Sequence, residues 1–146
     1  MSTPSKLSFG TTRELNLELL IMRLACALPF LYHGAAILFG VFGGPGPVKF
    51  AAFMKAPTIV GYLVGLAQFA GGLAILLGAL LRVGAASVII VMLGAIFLVH
   101  LPNGYDIGHQ GIEYALTELL LSLGLLLSGP GKFSLASVLP GPLQKL

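Results

Sequence analysis

The placement of charge constrains this chain more than any other feature. Eight Lys and Arg and five Asp and Glu are distributed over 146 residues so that residues 24–48, 56–81 and 83–105 contain none. An apolar, uncharged stretch of 18 or more residues is long enough to cross the roughly 30 Å hydrocarbon core of a bilayer as a helix. With 9% charged residues, against about a quarter in a soluble domain, the chain reads as an integral membrane protein. Four spans use more than half the length, which leaves no room for a separate soluble enzyme domain or dinucleotide-binding domain. Any chemistry must sit inside the bundle or at its rim, and the lipid bilayer is the first partner.

The net charge of +3 comes from Lys and Arg scattered singly, without the basic patch that a nucleic-acid partner requires. Cys26, the single cysteine, excludes an internal disulfide and any CxxC redox or zinc motif, so electron handling would need a cofactor or another chain. Ala25-Cys26-Ala27 has the small-x-small form of a signal-peptide cleavage site. Glu18 and Arg23 interrupt the apolar run before it, and hydrophobicity continues to Phe42, so the segment is expected to be a retained span.

The expected organisation is a tail over residues 1–14, a four-span bundle over 15–131 and a second tail over 132–146. Spans are expected at about 15–40, 58–81, 83–101 and 112–128, with Pro29 as a kink in the first. Gly43-Gly44-Pro45-Gly46-Pro47 ends the first helix, and residues 50–55, too short to cross, form an interfacial half-helix. Lys6, Arg13, Arg82, Lys132 and Lys145 fall on one side of the membrane and only Lys49 and Lys55 on the other, which predicts that both termini are cytoplasmic. The expected fold is all-α, a polytopic four-helix membrane bundle.

Ionisable groups inside such a bundle are costly, so they pair or mark a functional path. Arg23 lies about two turns into the first span, and Glu18, five residues earlier, points to a different face. Arg23 either snorkels to the interface or holds an anionic or quinone-like ligand. His33 and His100, near the outer ends of the first and third spans, could share a level with Glu113, where two imidazoles and a carboxylate would relay protons or, less readily, ligate a metal. The alternative is that they meet interfacial water. Gly61, Gly65, Gln68 and Gly72 follow 4, 3, 4 spacing and so share a face suited to close helix packing, which points Gln68 inward. Glu118 lies about two turns inside the fourth span, between Tyr114 and Ser122 on one stripe, where a carboxylate must be neutralised or paired. Cys26 reads as a small core residue.

Arg23 with Tyr32-His33-Gly34, the stretch Gly65-Leu66-Ala67-Gln68-Phe69-Ala70-Gly71-Gly72, His100-Leu101-Pro102-Asn103-Gly104 and Gly111-Ile112-Glu113-Tyr114 together resemble the DoxX family of small bacterial membrane proteins, over about residues 17–135. The resemblance implies a four-helix bundle in the bacterial cytoplasmic membrane, related to the membrane subunit of thiosulfate:quinone oxidoreductase. Members of that family commonly carry Glu where this chain has Gln68, which removes an ionisable proton carrier but keeps a hydrogen-bond donor for a quinone carbonyl. The expected function is therefore a redox-associated, quinone-linked membrane protein. Arg23 and Gln68, with Glu113 and Asn103, would hold the cofactor, while His33, His100 and Glu118 would move protons. Haem is a weaker alternative because no CxxCH motif occurs. An accessory subunit of a larger complex or homo-oligomer, with polar residues serving packing alone, is the rival, and a transporter is a third possibility.

Overall fold

The computed structural model describes residues 12–146, so the expected tail over 1–14, with Lys6, falls almost wholly outside the described residues. Among the described residues five α-helices follow one another: α1 (Thr12–Phe39), α2 (Gly46–Phe53), α3 (Thr58–Leu77), α4 (Leu81–Ala95) and α5 (Glu113–Ser128). A π-helical turn, Ile96–His100, and a 3-10 turn, Leu101–Asn103, prolong α4. No strand occurs among the described residues. Helix α1 runs through Pro29, whose missing N–H leaves the carbonyl one turn earlier without its helical donor. The expected half-helix is α2, which begins at Gly46 with a proline in its first turn, where no N–H partner is needed.

Three helical stretches, Glu14–Phe39, Thr58–Leu77 and Leu81–Asn103, are long and apolar enough to cross a membrane. Helix α5 has 16 residues and is about 24 Å long. It is shorter than a typical hydrocarbon core and is not among the three stretches, although a fourth span is expected there.

Lipid supplies no hydrophobic drive for helices to associate, so close contact between small residues must hold them together. Along α3, Gly65 lies against Ile37 and Leu38, and Gly72 against Phe30 and Leu31. A Cβ on Gly34 would come 2.4 Å from the Phe69 backbone nitrogen, so α1 and α3 touch backbone to backbone, antiparallel. Gly71 opposes Gly84 and Ser87 of α4 in the same sense. Helix α5 returns along α1, with Gly124 facing Met22, Ser122 beside Cys26 and Tyr114 near His33. The bundle is thus up-down-up-down, and residues 12 and 128 lie at one end. Its core gathers Cys26, Phe30, Ile75, Leu81, Val88 and Leu125. Helix α1 packs far more extensively on α3 than on α5, which leaves the α1–α5 seam as the looser side.

Candidate functional site

Among the described residues, the polar side chains singled out by sequence gather in three places. The first is the end where α1 begins. Arg23 is 1% exposed and donates from Nε to Ile75 O at 2.8 Å, from Nη1 to Phe133 O at 2.6 Å and Pro130 O at 3.1 Å, and from Nη2 to Leu76 O. Ile75 and Leu76 belong to the last turn of α3, whose carbonyls lack helical donors, and a cation there also opposes the negative end of the helix dipole. Arg23 therefore caps α3 and ties it to the segment after α5. Gly78 makes room for it: its φ is +65°, and a Cβ there would meet the guanidinium carbon at 2.7 Å. Asn16 adds a second tie on the same segment, its Oδ1 accepting from the Lys132 backbone N–H at 2.6 Å. The expectation that Arg23 donates to a ligand meets a guanidinium with four of its five N–H groups already bound to carbonyls.

The second place is the seam between α1 and α5. Glu118 is 6% exposed, and its Oε2 has no hydrogen-bond partner among the described residues. It faces the Cys26 thiol, which is fully buried and lies 3.3 Å from Ser122 Oγ. One turn outward on α5 stands Tyr114, with its ring 6.4 Å from that of His33, and His33 is exposed. His33, Tyr114, Glu118, Cys26 and Ser122 thus form a polar line from the surface into the bundle. Gln68 is 7% exposed on the inner face of α3, and its amide makes no hydrogen bond among the described residues. The contacts of Gly72 and Gly65 bracket it between the levels of Phe30 and Leu38. Those of Ser122 and Tyr114 bracket Glu118 between Cys26 and His33, whereas Gly34 meets Phe69, so Gln68 stands farther outward than Glu118.

The third place is the outer loop. His100 Nδ1 lies 2.7 Å from Gln110 O, Asn103 Nδ2 donates to the same carbonyl at 3.3 Å, and Glu113 Oε2 accepts from the Ile107 N–H at 3.0 Å. These side chains fasten the loop between α4 and α5. His33, His100 and Glu113, expected to share a site, are divided between the seam and the loop, and among the described residues no three His, Cys, Asp or Glu side chains converge to hold a metal.

Sequence reasoning found Gln68, Glu118, Tyr114 and Ser122 but took Cys26 for plain core. Seven residues separate Cys26 from His33, which puts both on one stripe of α1, and only the α5 contacts reveal that this stripe faces Glu118.

A DoxX family model matches residues 18–101, more than half of the chain and all of α2, α3 and α4. The chain belongs to the DoxX family. Among curated proteins it is similar to the uncharacterized membrane protein Rv3486 of Mycobacterium tuberculosis, 37% identical over 102 residues. That match covers 62% of this chain and 62% of the relative, so this DoxX protein matches less than two thirds of its relative's length. No solved structure gives a significant match. The family match stops at residue 101, short of the 135 reached by comparing motifs, so Tyr114 and Glu118 on α5 take no support from it.

Proposed function

We propose that this DoxX protein is a quinone-linked membrane subunit of a redox system in the bacterial cytoplasmic membrane, with the end of the bundle near residues 12 and 128 facing the cytoplasm. The observation that carries the proposal is Glu118 Oε2, a buried carboxyl oxygen without a partner among the described residues, with the Gln68 amide, which makes no hydrogen bond among the described residues, farther outward in the bundle. A buried polar group without a partner costs about 1–3 kcal/mol, and a ligand with carbonyl or hydroxyl oxygens removes that cost. The residues fit a quinone headgroup in this respect, with Gln68 and Glu118 as its partners in place of Arg23.

A bound quinone would supply a carrier of two electrons and two protons. The Gln68 N–H donates to an oxygen at its level, and the Glu118 carboxyl gives up or takes a proton at Oε2. Tyr114 and exposed His33 extend from Glu118 toward the surface and offer stations for that proton. Because Cys26 is alone, the chain stores no electron pair as a disulfide, and electrons come from a partner protein. His100, Asn103 and Glu113 act by holding the loop that opens α5.

An accessory role without cofactor is the alternative, favoured by how many polar side chains bind backbone alone: Arg23, Arg82, His100 and Asn103. The deciding experiment isolates the protein from membranes in mild detergent and measures extracted quinone by chromatography. Gln68→Leu and Glu118→Leu should each lose the quinone while melting normally. A parent that carries partner chains and no quinone supports the accessory role instead.

A further inference from the structure

A groove of about 460 Å³ opens at the end of the bundle where α1 begins, against Leu20, Leu76, Leu77, Phe133 and Leu135. It shares no residue with the seam. Its apolar wall lies at a level where transmembrane helices meet headgroups, because α3 ends at Leu77 and the segment after α5 folds back over α1. Two cations edge it. The Lys132 side chain is exposed and makes no ion pair among the described residues, while its backbone is fixed by Asn16. Arg23 lines the same groove and keeps one N–H beyond its four bonds to carbonyls. Arg82 and Lys145 are also held together at this end, through Arg82 Nη1 and Lys145 O at 2.7 Å. The acids of the end are Glu14 and Glu18, on the opening turns of α1.

We infer that this groove is a binding site for an anionic phospholipid. An acyl chain lies along Leu20, Leu76 and Leu77, and the phosphate is set against the Lys132 ammonium, with the buried Arg23 charge behind it. A wall of leucines with the exposed Lys132 ammonium at its rim matches a molecule that is apolar at one end and negative at the other, and basic pockets between helices are where such headgroups bind. A zwitterionic lipid would fill the same wall but gain less at the rim.

The test uses the full chain purified in detergent, with phosphatidylglycerol or phosphatidylcholine added to the micelles, followed by native mass spectrometry and melting by circular dichroism. The parent should retain phosphatidylglycerol about fivefold better than phosphatidylcholine, the factor one basic residue supplies near an anionic headgroup. Lys132→Glu should remove the preference, Lys132→Arg should keep it, and Lys49→Glu, the same charge change at the other end of the bundle, should leave it intact. Equal retention of both lipids by the parent overturns the site. A preference that survives Lys132→Glu, or falls equally with Lys49→Glu, also overturns it, since attraction would then come from net charge alone.

Discussion

Arg23 and Glu118 are both ionisable, both more than nine-tenths buried and both on helices of one small bundle, yet their surroundings are opposite. Arg23 meets four backbone carbonyls from two separated segments, whereas Glu118 keeps an oxygen with no partner among the described residues. A satisfied buried cation is explained by the fold it ties together. A buried carboxyl left open is not, because the chain would be more stable with an apolar residue there. Counting hydrogen bonds thus separates the group that builds the bundle from the group that is available for chemistry.

The satisfied side is broken most severely by Arg23→Met, which leaves the carbonyls of Ile75, Leu76, Pro130 and Phe133 without their donor. A loss of about 3 kcal/mol or more is expected, read as a lower melting temperature in detergent. Gly78→Ala attacks the same cap indirectly, through a left-handed backbone and a Cβ against the guanidinium. It should cost about 2 kcal/mol, and a normal melt would show that the guanidinium can sit elsewhere. In the outer loop, His100→Ala removes one hydrogen bond to Gln110 O and should cost about 1 kcal/mol. Glu118→Leu should have the smallest effect on stability, within about 1 kcal/mol of the parent or above it. A large loss there would mean that Glu118 is as structural as Arg23.

Much of the bundle is legible in the sequence, because charge-free runs and breaker clusters such as Gly43 to Pro47 respond to the bilayer and to backbone sterics, both local in sequence. The inward direction of Gln68 follows from glycine spacing on one helix, and α3 buries that face as expected. What one helix faces on another is not local. Arg23 donates to partners 52 and 107 residues away, and the carbonyls it binds carry no side-chain signature. The seam is half legible for the same reason: Tyr114, Glu118 and Ser122 share a stripe by spacing, but Cys26 joins them only once α5 is laid antiparallel on α1. Helix ends shift where chemistry permits, so α3 stops at Leu77, before the expected 81, because Gly78 turns into the left-handed region to receive the guanidinium.

The central claim, that Gln68 and Glu118 are left open for a quinone, is tested most directly by melting the parent and the Gln68→Leu/Glu118→Leu double variant with and without a short-chain quinone. A ligand that binds only the folded state raises its melting temperature by mass action. The parent should therefore melt higher with quinone, while the double variant melts at or above the ligand-free parent and ignores quinone. A parent indifferent to quinone, together with a double variant that has lost stability, would contradict the claim and make both residues part of the packing.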